Sequence, residues 1–407
     1  MSSFVHFIAA AGGGITPPSP GAYSLLDTLS ATAYPFQTFG TICISRDGYT
    51  VFATGYNVGA LGVWVWRWNG TNWPNLQILA ISTPSDFPIS ATSHVYDHTL
   101  TCNEDGSRVY LGINAAVANK GVAYVFEETS PDTWAQIQRI TNPTGTADYF
   151  GWSLACDLPG DRIAIGAPYW SDGTYLGKVY IYLLSGGSYS LEQTITSTYV
   201  YNGGGGGLGY FVALSGDGSV LATGDDDYEP TFIGSGAVET HTRSGTTWSY
   251  EDRRYPVVDD APDYEFSGAA SRGCRITEDG STIYLIAEIY NNIAKYTRSG
   301  GVLVFGGLLK EYGTTYAPRK PMGASADGQV FVVGNWTNTN SATEDGQVDR
   351  WEGEAYVSTI LDSTPANSDH MGFGVDVSAD GSIVVWAIPQ LNSSTPGPGD
   401  RVYMKVY

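Results

Sequence analysis

A two-residue turn, usually Asp-Gly, returns seven times along this chain of 407 residues, at Asp47-Gly48, Asp105-Gly106, Gly160-Asp161, Asp217-Gly218, Asp279-Gly280, Asp327-Gly328 and Asp380-Gly381. Successive aspartates of these turns stand 58, 56, 56, 62, 48 and 53 residues apart. Asp-Gly between two short apolar runs is a hairpin signal, because both residues tolerate the positive φ that the tightest hairpins require. A spacing of this size matches one four-stranded propeller blade and exceeds an ankyrin or leucine-rich repeat. The expected fold is therefore all-β, a seven-bladed β-propeller of four-stranded antiparallel blades.

The rest of each unit fits that frame. Residues 154–157, 162–166 and 178–183 read as three consecutive strands, and first strands elsewhere end at the turn, as in 41–46, 100–104 and 212–216. Second strands are rich in Val, Ile and Ala (51–55, 330–334, 383–388), and third strands open on glycine, as at Gly62, Gly121, Gly236 and Gly346. An aromatic leads the fourth strands in 73–79, 134–140, 189–195, 248–253 and 356–361. The last unit stops after three strands at Tyr407, whereas residues 22–29 carry an aromatic-led fourth-strand pattern before the first unit. The N-terminal strand is thus expected to complete the C-terminal blade and remove two free sheet edges. The domain expectation is an apolar tip with a Gly/Pro connector over 1–21 and a propeller over 22–407.

Phe150-Gly151-Trp152-Ser153, Ile165-Gly166-Ala167-Pro168 and Gly177-Lys178-Val179-Tyr180 resemble the FG-GAP repeat of integrin alpha-subunit propellers and their microbial relatives. Phe39-Gly40 and Phe373-Gly374 echo its start. The resemblance implies a seven-bladed propeller used for adhesion or ligand binding. The alternating aspartates of that family's calcium loop are missing, so no metal and no cofactor is expected.

Charge narrows the partners. With 20 Lys and Arg against 41 Asp and Glu, the net charge is −21. Such a field disfavours nucleic acid and repels an anionic membrane. The start, from Met1 to Ala11, is apolar but too short to span a bilayer and lacks the basic flank of a signal peptide. It is expected to dock on another subunit, and it weakly resembles the leaders of bacteriophage structural proteins. Cys43, Cys102, Cys156 and Cys274 fall at the repeat's own spacing, each three to five residues before its turn, which predicts reduced, buried thiols near the axis rather than a disulfide scaffold.

Long connections gather on the face opposite the turns, and binding residues commonly sit on loops held by a rigid scaffold. Tyr56, Tyr169, Trp170, Asp172, Asp226, Tyr228 and Trp336 supply flat apolar area beside polar groups there, and are the expected ligand-binding residues. Asp225-Asp226-Asp227 with Glu229 reads as a solvated charge run, since contiguous aspartates cannot all face one cation. His94 and His98 have metal spacing only on a helix, and this segment reads as a loop. No nucleophile motif or Ser-x-Asp-x-Gly-x-x-Trp box occurs. The expected function is therefore non-enzymatic: a structural or adhesion module of a phage particle or other extracellular assembly, binding a host-surface glycan or protein receptor. A free carbohydrate-binding surface protein is the alternative, and a glycan-cleaving propeller the third reading.

Overall fold

The computed structural model describes residues 24–28, 40–57, 60–87, 98–171, 176–196, 207–225, 237–254, 273–287, 292–311, 321–335, 346–361, 371–389 and 401–407. Seven four-stranded antiparallel sheets form seven blades. From axis to rim, blade one holds Ile42–Ile44, Thr50–Asn57, Ala60–Arg67 and Asn75–Ala80. Blade two holds His98–Cys102, Arg108–Ile113, Val122–Ser130 and Thr133–Thr141, and blade three Ser153–Cys156, Arg162–Ser171, Leu176–Ser185 and Ser188–Thr196. Blade four runs Phe211–Leu214, Val220–Asp225, Ala237–Ser244 and Thr247–Arg254. Blade five runs Cys274–Ile276, Thr282–Ala287, Asn292–Ser299 and Val302–Glu311, and blade six Met322–Ala324, Val330–Asn335, Gln347–Glu352 and Ala355–Ile360. Blade seven takes Gly374–Val377, Ile383–Ile388 and Arg401–Val406 from the end of the chain and Ser24–Thr28 from its beginning. Ser24 pairs with Met404 and Thr28 with Arg401, so the ring closes by strand exchange between the termini, as expected.

Each turn is built the same way. The glycine of all seven turns has φ between 62° and 79°, a region that costs an L side chain about 1–2 kcal/mol. Three residues before that glycine stands Ser45, Asn103, Asp157, Ser215, Thr277, Ser325 or Ser378. Its side-chain oxygen accepts the N–H of the residue that opens the second strand, at 2.8–3.0 Å in every blade. Between those two positions lies a residue whose backbone faces the axis. Asp47 N–H donates to Glu104 O, Glu104 to Leu158, Leu158 to Gly216, Gly216 to Glu278, Glu278 to Ala326, Ala326 to Ala379, and Ala379 to Arg46. Seven backbone hydrogen bonds of 2.8–3.1 Å thus close a ring round the axis.

Adjacent blades interlock at the opposite end through glycine. A Cβ on Gly112, Gly166 or Gly334 would overlap the carbonyl oxygen of Gly151, Gly209 or Gly372 in the next unit. Parallel bridges join Gly121 to Phe150, Gly177 to Leu208 and Gly346 to Met371. The counterpart of Phe150-Gly151 in blade seven is therefore Met371-Gly372, not Phe373-Gly374, because the contact needs a bulky apolar residue and a glycine at fixed distance from the turn. Large apolar side chains fill the spaces between blades. Phe52 of blade one meets Trp134 of blade two edge to face, with centroids 5.9 Å apart, and Tyr110 meets Tyr189 likewise between blades two and three.

At the rim, Gln77, Gln138 and Gln193 each clasp the backbone of the next blade's leading aromatic. The amide of Gln193 donates to Trp248 O at 2.9 Å and accepts Trp248 N–H at 2.7 Å; Gln77 does the same to Trp134, and Gln138 to Tyr189. Asp252 makes half of this contact, accepting Leu303 N–H. The rim of blades five and six exposes Val302, Val304, Tyr356 and Val357, as that of blades one, three and four exposes Ile78, Leu191 and Tyr250.

Candidate functional site

Two places gather chemistry: the axial channel and the end opposite the turns. The channel encloses a cavity of ≈ 150 Å³ lined by the first strands. Arg46 spans its mouth, with Nε and Nη2 on Glu278 Oε1 at 3.0 and 2.9 Å and Nη1 on Ala324 O at 2.8 Å. Glu104 stands beside them, and burial together with the charge of Glu278 pushes its carboxyl up. Deeper in, Asp376 accepts Ile44 N–H at 3.2 Å with Arg275 4.0 Å away. Burial raises the Asp376 carboxyl despite Arg275 and Arg46.

Cys43, Cys102 and Cys156 line the same channel on three consecutive first strands. All four cysteines are free. Burial is the main reason that the thiols of Cys43, Cys156 and Cys274 are raised, the last to about 12; Cys102 is raised first by its bond to Cys43 and then by burial. A thiol held protonated is a poor nucleophile. Among the described residues no group of three or more His, Cys, Asp or Glu is placed to hold a metal ion.

The opposite end carries an aromatic cluster. The Tyr149 ring lies 4.9 Å from Tyr169 and 6.0 Å from Trp152, and Trp152 lies 5.5 Å from Tyr169 and 5.1 Å from Tyr210. Tyr210 is buried, Tyr149 and Trp152 are half-buried, and Tyr169 is exposed. Next to Tyr169, on the other face of its strand, Trp170 carries Lys178 Nζ 3.4 Å from its ring centre.

A hydrogen-bonded loop supports the cluster. Asn142 Nδ2 donates to Lys120 O and Thr146 O, and Thr144 and Thr146 hydroxyls donate to buried Asp148. Burial raises the Asp148 carboxyl against the pull of these hydroxyls. Tyr149 follows at φ 59°, and its N–H donates to Asn119 O at 2.9 Å. Asn119 itself closes a left-handed turn with Val117 and Ala118, all three at φ of 52–65°. Four of the chain's left-handed non-glycine residues thus meet at one spot.

Among the expected binding residues, Tyr169 and Trp170 lie here, on the second strand of blade three rather than in a loop, since that strand runs on to Ser171. Tyr56 likewise falls inside a strand, paired with Leu61. Asp172, Asp226, Tyr228 and Trp336 lie outside the described residues, as do His94 and Asp97, while His98 opens the first strand of blade two. Residues 1–21 also lie outside them.

Asp225 corrects the solvated reading of its acidic run. It is fully buried at the end of a strand, 2.8 Å from Arg253 Nη2, and the same guanidinium holds Glu239 at 2.8 Å. A buried arginine with two carboxylates is a packing device of blade four, and sequence spacing gave no sign of it because the three residues come from three strands. Tyr149, Trp152 and Tyr210 were not singled out either, although Tyr149 and Trp152 flank Phe150-Gly151 and mark where the motif reaches the surface.

The comparisons bear on this corner of the molecule. Residues 134–182 match the FG-GAP repeat. The match spans the fourth strand of blade two, the interlock at Phe150-Gly151 and three strands of blade three, so one FG-GAP repeat straddles two blades and contains Tyr149, Trp152, Tyr169, Trp170 and Lys178. No curated protein matches the chain. Solved structures share its architecture: the Cps50 (Swd1) β-propeller domain of Myceliophteria thermophila has a TM-score of 0.58 at 8% identity, covering 95% of this chain and 100% of that one. A protein from Lactobacillus plantarum gives 0.53 at 15%, covering 83% and 86%, and a functionally unknown protein from Desulfotomaculum acetoxidans 0.52 at 12%, covering 81% and 87%. At such identities the likeness is one of fold.

Proposed function

We propose that this propeller is a non-enzymatic binding module of a particle surface or other extracellular assembly, and that it holds its target through the end opposite the turns. One observation carries the reading: the single FG-GAP match coincides with a surface cluster of aromatic rings on a closed, rigid ring. Aromatic side chains dominate recognition surfaces because they give large contact area at small entropic cost.

The channel carboxylates favour a structural role. Glu278 is committed to Arg46, and Asp376 to a backbone N–H, whereas hydrolysis needs an acid and a base facing one substrate bond. Among the described residues no helix is long and apolar enough to cross a membrane, and the charge of −21 argues against an anionic membrane as target. The apolar stretch 1–11, joined through glycines and prolines to the closing strand, supports attachment to a neighbouring subunit.

Fluorescently labelled full-length protein applied to arrays of cell-surface glycans and ectodomain proteins tests the proposal. Saturable retention on at least one surface, with no product released from it, is the expected result. Retention on none, or turnover of a bound glycan, overturns it.

A further inference from the structure

We infer that the outer edge of blade five, Val302–Glu311, docks the apolar tip, residues 4–9, of a second copy of this chain; this rests on the subunit attachment proposed above and names its partner. An outermost strand turns every second pair of backbone groups outward, so it accepts a further strand unless its side chains prevent that. Polar and charged residues are the common protection.

Six blades have it and one lacks it. Gln77, Gln138, Glu192, Glu251, Thr359 and Asp27 stand in the outer strands of blades one, two, three, four, six and seven. Residues 302–309 of blade five, Val-Leu-Val-Phe-Gly-Gly-Leu-Leu, carry no polar side chain. Val302 and Val304 are 41% and 51% exposed and, two positions apart, point to the same side of the strand. Exposed apolar residues elsewhere on the rim have polar neighbours: Leu191 lies between Ser190 and Glu192, and Tyr250 between Ser249 and Glu251. Blade six exposes Tyr356 and Val357 but follows them at once with Ser358 and Thr359. A bulge interrupts the pairing of all seven outer strands, so the side chains are what set this edge apart. Asp252 takes Leu303 N–H at 2.7 Å, which leaves the stretch from Val304 onward to a guest strand.

The chain carries a segment of matching chemistry. Residues 1–26 contain no Asp, Glu, Lys or Arg, and Phe4, Val5, Phe7 and Ile8 are residues that favour extended pairing. A chain of net charge −21 repels an incoming segment through that segment's own negative charge, and neither the tip nor residues 302–309 bring any. The tip joins the ring at Ser24 on blade seven, and blade six stands between blade seven and blade five. Pro17, Pro18 and Pro20 make the connector a stiff spacer, suited to holding the tip off the ring that bears it and presenting it to an adjoining one. Each copy then offers one tip and one edge, so the contact runs head to tail.

Light scattering on the full-length protein over a concentration series reads its mass, and variants separate the two halves of the contact. The protein is expected to grow beyond the monomer as its concentration rises, more so when NaCl goes from about 0.05 to about 0.5 M, because salt screens the like net charges. Val304→Lys puts a charge on the edge, and Phe7→Asp with Ile8→Asp puts charge on the tip; each change is expected to weaken association by about tenfold or more. Thermal unfolding shows whether Val304→Lys is folded, and Val302→Lys, also on the surface, takes its place if it is not. Mixed, the edge-defective and tip-defective proteins are expected to form a dimer and stop there, since one supplies the tip and the other the edge.

Variants that associate like the parent, or defective proteins that fail to complement on mixing, overturn the docking. Edge-to-edge pairing of two copies would show as a dimer that the tip variant still forms, and a tip laid on its own ring as a monomer at every concentration; either result overturns it too. A monomer that is still retained on the array keeps the binding role and removes only this contact. A monomer retained by nothing removes both.

Discussion

At the end of the ring that carries the turns, seven units use one small vocabulary: a hydroxyl, Asn or Asp that caps the second strand, an axial residue that passes a backbone hydrogen bond to the next unit, and a glycine with positive φ. At the other end the residues that cluster, Tyr149, Trp152, Tyr169 and Tyr210, come from a single unit and the start of its neighbour. Repetition serves closure, since every blade must present the same edge to the next. The binding role proposed for the cluster needs only one departure from the repeat, placed where packing already holds the backbone still. The contrast teaches where to look in such a chain: at the unit that breaks the pattern on the face that the turns leave open.

The contrast can be broken most forcefully at an interlocking glycine. Gly166→Ala places a methyl against the Gly209 carbonyl and the Ser153 hydroxyl. Overpacking against a backbone carbonyl and a buried hydroxyl is expected to destabilise by about 3 kcal/mol, read as a lower urea midpoint at unchanged slope. A shift under about 0.5 kcal/mol would mean that the blades slide more freely than the interlock implies.

Rim clasps should matter less. Gln193→Ala deletes both bonds to Trp248 and leaves its backbone groups with water as partner, for an expected loss of about 1–2 kcal/mol. Val357→Ser, on the exposed rim of blade six, should stay within about 0.5 kcal/mol. Equal losses at the two sites would erase the distinction between the clasped and unclasped halves of the rim.

Asp376 tests the channel by pH. Its folded carboxyl holds a proton more tightly than the unfolded chain does, so the folded state binds more protons in the interval above the ordinary aspartate value. Stability contributed by that proton is present at acid pH and is lost as pH rises through the raised folded value. Asp376→Asn keeps an acceptor for Ile44 N–H and should make thermal stability less steeply dependent on pH above the ordinary aspartate value of about 4. An unchanged profile would show that water in the channel already solvates the charge.

The smallest effect concerns the thiols. All four are raised, so a thiol reagent at pH 8 should modify them at the rate of unfolding. Fast modification of Cys43 or Cys102 in the folded protein would contradict the closed channel.

The sequence by itself determined the blade count, the turn chemistry, the exchange of the N-terminal strand and the place of the cysteines, because each depends on local rules: a tight turn needs glycine at positive φ, a strand needs alternation, and a ring has no free edge. It put Tyr169 and Trp170 in a loop, whereas both lie in a strand, since a strand's end depends on pairing partners such as Ser171 and Leu176 that spacing does not reveal. Tertiary structure alone decided the company that these residues keep. Tyr149 reaches Tyr169 because of a left-handed backbone, Asp225 is buried because Arg253 and Glu239 arrive from two other strands, and Arg46 meets Glu278 across the axis, 232 positions away in the chain. Contacts of that range arise only when the ring closes, and no periodicity encodes them.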